Sequence, residues 1–278
     1  MTVDQSTKDK AQRLRALAGD TVLVLPNAWD AGSAAVIAAA GAPAIATTSG
    51  GVAWSLGRGD GQQATRDEML AAAARIVAAV DVPVTVDVEG GYGAAPAEVA
   101  QTVAAVVAAG AVGINLEDSR AAGGPLFTPE EQAERIAAAR AAATEAGLPE
   151  LVINARTDVY LFGIGEESGR LDDVLARAAA YAEAGADGVF VPGLLDLGVL
   201  ADLSARSPLP VNAMAGPGGP SVTDLAKAGV RRVSVGTGVA QAAYTAARRA
   251  TLELLSTGTY DELDGSLDFF QMNGLFSG

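Results

Sequence analysis

The residues with the most chemical promise are two carboxylates, Asp87 and Glu89, which close the β-branched run VPVTVDV at 82–88 and give way at once to the glycines of GGYG. A run of this kind, bounded by Pro83 and Gly90, reads as a buried parallel strand. Barrels and open α/β sheets collect ligands at the carboxyl ends of their strands, so acids placed there are candidates for holding a metal or a substrate. Other apolar runs also end in polar residues: Asn27, Trp29 and Asp30, then Thr48, Ser49, Gly50 and Gly51, then Glu117 and Asp118, then Arg156 and Asp158, and last Asn212.

The chain contains no Cys and no His. That excludes a thiolate nucleophile, an imidazole base and the usual zinc site, and leaves any metal to oxygen ligands. Such ligands favour Mg2+, with Mn2+ as the alternative. If the strand ends share one rim, its carboxylates cannot all stay ionised without a cation. Asp87 is the expected direct ligand, with Glu89 and Glu117 acting through water. Helix capping or surface exposure is the alternative reading of Glu117 and Asp118. Arg156 ends an apolar strand, and its planar fork suits a substrate carboxylate or phosphonate; an ion pair with Asp158 or Glu117 would occupy it instead. Residues 48–51 read as a small flexible turn that an anion can approach, or as a plain tight turn. AGPGGPS at 215–221 reads as a rigid wall, because its two prolines lack amide donors.

Positioning these residues falls to an alternation of short β-branched runs and alanine-rich stretches of helical spacing. Strands are expected at 22–25, 44–47, 84–88, 113–116, 151–155, 188–191, 211–213 and 232–235, and helices at 31–40, 65–80, 96–109, 129–146, 171–184, 196–205, 221–228 and 239–255. Thr65 with Glu68 forms a capping box, Pro129 follows Thr128 at a first turn, and Gly41, Gly110, Gly147, Gly185 and Gly229 stop helices. Eight such units predict an α/β fold, a (β/α)8 TIM-type barrel forming a single domain over 1–278. The dinucleotide fingerprint of an open sheet is absent. Residues 258–278 form a C-terminal helical tail whose segment 261–272 carries Leu263, Leu267, Phe269 and Phe270; a neighbouring subunit is expected to cover it, the alternative being that it packs back on its own barrel.

With 33 acidic against 19 basic residues the net charge is −14. No basic face is available for nucleic acid or an anionic membrane surface, so neither is an expected partner. The first 19 residues are polar and mixed in charge, unlike a signal peptide, and a cytoplasmic location is expected.

The segments NAWDAGSA (27–34), TTSGGVAWSLGRGDGQ (47–62), VDVEGGYG (86–93), GINLEDS (113–119), INARTD (153–158) and EAGADGVFVPG (183–193) together resemble the isocitrate lyase and phosphoenolpyruvate mutase superfamily. The resemblance covers residues 25–249. It implies a magnesium-dependent barrel that binds a 2-oxo acid or its enolate, with Asp87 on the metal, Glu89 and Glu117 holding its waters, and Arg156 on the substrate carboxylate. Thr48, Ser49 and Gly50 would line an anion-binding turn, Asn212 would add a substrate contact, and Asp60 would ride on a mobile segment that closes over the site. Arg156, Asp60 and Glu117 are the implied catalytic residues. Members commonly exchange their last barrel helix and form tetramers, which implies a homo-oligomer here, tetramer or dimer.

Several positions depart from the family pattern. Glu89 replaces the usual second aspartate. The lyases' cysteine loop is replaced by RAAGGP at 120–125, and Ala46 or Thr47 stands where those enzymes carry a tyrosine. Pro192 and Ala46 replace the mutases' histidine and tryptophan. These differences argue against isocitrate cleavage and against phosphonomutase activity. The expectation is a magnesium-dependent lyase that cleaves or decarboxylates a small 2-oxo or 2-hydroxy dicarboxylate through a metal-stabilised enolate. The alternatives are carbon–phosphorus chemistry of the phosphonopyruvate hydrolase or phosphonomutase type, and a barrel that binds a 2-oxo acid without turning it over.

Overall fold

The structure, a computed structural model, describes residues 3–17, 19, 21–121 and 123–276. Residues 1, 2, 18, 20, 277 and 278 of the expected domain, and Ala122 of the 120–125 segment, lie outside the described residues. The chain opens with helix α1 (Gln5–Leu17) and strands β1 (Leu23–Leu25) and β2 (Asn27–Ala28). Then follow α2 (Ala31–Ala39), β3 (Ile45–Thr47), α3 (Ser49–Ser55), α4 (Arg66–Ala78), β4 (Val84–Asp87), α5 (Pro96–Ala108), β5 (Gly113–Glu117), α6 (Pro129–Glu145) and β6 (Val152–Arg156). The second half comprises α7 (Arg170–Glu183), β7 (Gly188–Phe190), α8 (Leu197–Arg206), β8 (Val211–Met214), α9 (Val222–Lys227), β9 (Arg232–Ser234), α10 (Gly238–Ser256) and α11 (Phe269–Gly274).

All strand pairs are parallel, in the order β1-β9-β8-β7-β6-β5-β4-β3-β2. The ends of this series are consecutive in the chain, so the sheet curls into a barrel of eight staves, the first of them broken. Pro26 makes the break. It has no amide to donate, its carbonyl accepts from the Ala46 amide at 3.1 Å, and the ladder passes there from β9 to β3. The expected barrel is therefore observed, with the first strand in two pieces. The strands' apolar side chains, among them Ile114, Leu116, Ile153 and Val189, are fully buried, each contributing about 1.5–3 kcal/mol on burial.

Helix starts and stops follow the local chemistry. Thr65 with Glu68 and Thr128 with Glu131 form reciprocal capping boxes. The five helix-stopping glycines all adopt left-handed φ, from 83 to 97°. Two helices do not follow from the sequence pattern. α1 buries only Ala11 and Leu14, too few apolar groups to announce itself. Its Leu14 lies beneath the barrel against Gly113, where a Cβ would come within 3.1 Å of Leu14 and 2.8 Å of Thr85. α3 replaces the turn expected at 48–51. The tail also differs from expectation, because residues 261–272 do not form one helix: a short turn at Asp261–Leu263 folds back on α10 through Arg249–Glu262, and α11 follows separately.

Candidate active site

Asp87 ends β4 opposite Asn115 of β5. Glu117 stands two residues further along β5, so the two acids project from neighbouring strands to one face. The Asp87 carboxylate accepts long hydrogen bonds, both 3.3 Å, from the amides of Ser49 and Glu89, and Thr47 Oγ1 accepts from the Asp87 amide at 2.8 Å. Ser49 thus directs its amide at a carboxylate, as the first residue of α3.

Glu89 is 4 % exposed and has φ 50°, a left-handed conformation that costs a residue with a side chain. Gln62 and Tyr92 share this conformation at φ 59°. All three interlock, with the Gln62 amide donating to Glu89 Oε2 at 2.5 Å and Tyr92 Oη donating to Oε1 at 2.9 Å. The loop is braced from behind by buried Arg135 of α6, which donates to the carbonyls of Gly90, Gly93 and Ala94. Thr102 Oγ1 holds the Gly91 carbonyl at 2.9 Å. Strain at Glu89 persists because these contacts fix the backbone around it.

Arg156 at the end of β6 lies between Glu117 (Nη1 to Oε2, 2.9 Å) and Asp158 (Nε to Oδ1, 2.6 Å). Both ion pairs considered from sequence are therefore formed, and neither uses Nη2. Burial pushes the Glu89 carboxyl up to about 7, with the Asp87 charge adding to the effect. Burial also raises Glu117, Arg156 offsetting it in part while Asp158 and Asp87 add to it. The Tyr92 phenol is raised by burial and by Glu89. These acids repel one another across a shared buried mouth.

Asp60 joins them from the loop between α3 and α4. A Cβ on Gly50 would lie 3.0 Å from Asp60 Oδ2 and 2.9 Å from Thr237 Cγ2, so only glycine lets these groups approach. Thr48 and Ser49 are buried beside them. Other residues named from sequence fall elsewhere. Asp30 caps α2 through the Ser33 amide. Asp118 is wholly buried behind the rim, neither capping a helix nor exposed, and accepts from Arg177 Nη1 at 3.0 Å and Tyr181 Oη at 2.8 Å. Asn212 lies two residues short of the end of β8, inside the barrel and 1 % exposed, with Nδ2 toward Ser234 Oγ at 3.4 Å. Sequence reasoning passed over Gln62, Tyr92 and Arg135; a tyrosine set between glycines was the one available signal.

Among the described residues, no three acidic side chains converge closely enough to enclose an ion directly. The donors still suit a hard dication. They are all oxygen, buried and overcrowded with negative charge, and a carboxylate assisted by water-mediated neighbours is a common magnesium arrangement. Asp87, Glu89 and Glu117 are the residues that could hold one.

A closed parallel barrel with carboxylates and one arginine gathered at its strand ends defines the class: a (β/α)8 enzyme. The chain matches the phosphoenolpyruvate phosphomutase family over residues 14–255. It belongs to that family, within the isocitrate lyase and phosphoenolpyruvate mutase superfamily. It is 42 % identical over 213 residues, 77 % of each chain, to an uncharacterized protein of Mycobacterium tuberculosis (strain H37Rv). It is 33 % identical over 206 residues to the 2-methylisocitrate lyase of Escherichia coli (strain K12), covering 71 % of this chain and 67 % of that one. The structure of oxaloacetate acetylhydrolase in complex with the product oxalate superposes with TM-score 0.85 at 26 % identity, covering 96 % of this chain and 94 % of the other.

Proposed function

We propose that the protein is a magnesium-dependent lyase acting on a small 2-oxo or 2-hydroxy dicarboxylate by carbon–carbon cleavage or decarboxylation. The observation that carries this reading is the convergence of Asp87, Glu89 and Glu117 with Arg156 at one barrel mouth. The relationship to a 2-methylisocitrate lyase and the fold shared with an oxaloacetate acetylhydrolase support it.

A dication held by Asp87, and through water by Glu89 and Glu117, would supply Lewis acidity to the substrate's 2-oxo and carboxylate oxygens. The chain's own groups do the rest. Arg156 keeps Nη2 outside its two ion pairs, and that edge is suited to a substrate carboxylate. Glu117 and Glu89 hold protons more tightly than ordinary carboxylates, so loading the site releases them and ion affinity rises with pH. Asp60, which lies beside Gly50, would cover the mouth and keep water from the developing anion.

The test is calorimetry with Mg2+, then turnover of oxaloacetate, substituted malates and phosphonopyruvate with product analysis. Wild type is expected to bind Mg2+ and to release a 2-oxo or carboxylic acid product. Asp87→Asn is expected to lose activity by roughly 100-fold or more with its melting temperature retained. Near-normal activity in that variant refutes the assignment, and release of phosphate from phosphonopyruvate alone assigns the site to carbon–phosphorus chemistry.

We further infer a homo-oligomer in which α10 and the tail pack on a second copy. Support comes from α10 burying only Ala240 along 19 residues, from Val24, 43 % exposed on β1, and from exposed Leu255, Phe269 and Phe270.

A further inference from the structure

Beneath the mouth, the barrel holds a charge that the proposed chemistry does not use. Arg232 on β9 is paired in register with Asn212 and Leu23, two residues below the strand end, and is 8 % exposed. Buried arginines are normally matched to carboxylates. Arg177 has Asp118 and Arg156 has Glu117 and Asp158, whereas Arg232 has none among the described residues. Its one hydrogen bond runs from Nη2 to Asn115 Oδ1 at 3.2 Å, and Nε has no partner. Asn115 also accepts from Asn154 Nδ2 at 2.8 Å, and it is the register partner of Asp87. Two other polar atoms in the same interior, Thr85 Oγ1 and Asn212 Oδ1, are likewise unpartnered. A cavity of about 30 Å³ touches Asn154, Asn212 and Arg232 from the side of Leu14 and Leu23. Burial lowers the guanidinium to about 10, opposed by the charge of Asp87; it stays protonated at neutral pH.

A buried cation without a carboxylate partner is costly. Its position explains its presence. Five carboxylates, Asp60, Asp87, Glu89, Glu117 and Asp158, face a single arginine at the mouth. One dication would still leave two negative charges in excess, and the substrate is itself an anion. We propose that Arg232 is a positioning residue whose buried charge, delivered from below through the Asn115 layer, balances the acidic mouth so that a metal-loaded site accepts an anionic 2-oxo acid. This rests on the function proposed above. The charge repels the metal slightly and attracts the substrate and its developing negative charge, so it must affect the two ligands in opposite senses.

That opposition is the test. Full-length Arg232→Met, similar in volume and uncharged, is titrated by calorimetry first with Mg2+ alone and then, at saturating Mg2+, with oxalate. Expected are Mg2+ affinity equal to or tighter than wild type, oxalate affinity weaker on the order of tenfold, and a melting temperature no lower than wild type, because a costly buried charge is gone. Arg232→Lys should restore oxalate binding. Weakening of both ligands together with a lower melting temperature overturns the proposal in favour of a packing role, as does unchanged oxalate affinity. Wild type that binds neither Mg2+ nor oxalate refutes the underlying function instead.

Discussion

The pH dependence of Glu89 offers the sharpest quantitative check on the site. Its carboxyl rises from an ordinary 4.5 to about 7, first through burial and then through Asp87. A difference of that size corresponds to about 3 kcal/mol of tighter proton binding in the folded chain. The folded state therefore holds the proton between about pH 4.5 and 7 while the unfolded state has released it. Stability of the metal-free protein falls across that window and is lower by the full amount above it. Glu89→Gln removes the titrating group. It also gives up one acceptor for Tyr92 or Gln62, costing about 1 kcal/mol at every pH. The difference between variant and wild type at pH 9, less the same difference at pH 5, isolates the carboxylate: about 3 kcal/mol in favour of the variant, or about 6 °C in melting temperature for a chain of this size. Calorimetric melting in chelator at the two pH values measures it. Adding Mg2+ at pH 9 should stabilise wild type more than the variant. A variant equally destabilised at both pH values would mean that Glu89 does not carry a disfavoured charge, and the electrostatic account of the mouth fails with it.

Three further outcomes follow from the geometry. Arg156→Lys keeps a charge but not the fork that serves Glu117, Asp158 and substrate together, so KM should rise on the order of tenfold in steady-state kinetics; unchanged KM removes Arg156 from substrate binding. Asp118→Asn leaves buried Arg177 with only the partly exposed Asp173 as a carboxylate partner and should cost about 1–3 kcal/mol in urea unfolding, and a loss below about 0.5 kcal/mol contradicts that pairing. A chain ending at residue 257 lacks Phe269 and Phe270, and by light scattering it should dissociate at higher protein concentration than the full chain; identical association assigns the interface elsewhere.

The staves were legible because they depend on local chemistry. Val84–Asp87 is β-branched, flanked by Pro83 and Gly90, and many helix ends carry their own signal, among them the capping boxes at Thr65 and Thr128 and the glycines Gly41, Gly110, Gly147, Gly185 and Gly229. Asp87, Glu117 and Arg156 could be placed for the same reason, since a residue at a strand end needs only the strand to be located. What the pattern missed depends on partners far along the chain. Ser49-Gly50-Gly51 looked like a flexible turn, yet the glycines serve close packing against Thr237 and Trp29. Asp118 looked like a rim acid, and its burial is decided by Arg177 and Tyr181, 59 and 63 residues away. Asn212 was assigned to the rim by proximity to a strand end, and a shift of two residues along β8 sends it into the barrel instead.

The buried arginines show why such errors collect around the site. A sequence pattern assigns arginine to solvent, and here four arginines are drawn inward by four different arrangements. Arg135 is satisfied by three loop carbonyls, with no carboxylate among its hydrogen bonds. Arg177 is paired with Asp118, and Arg156 is shared between two acids. Arg232 meets only an asparagine. Ordered this way, they run from a cation that shapes backbone, through one that locks the wall and one outnumbered by the two acids it serves, to one that meets no carboxylate among the described residues. A barrel built only for stability would gain by replacing Arg232 with an apolar group; retaining it is consistent with a mouth whose carboxylates are meant to stay ionised around a cation and then admit an anion.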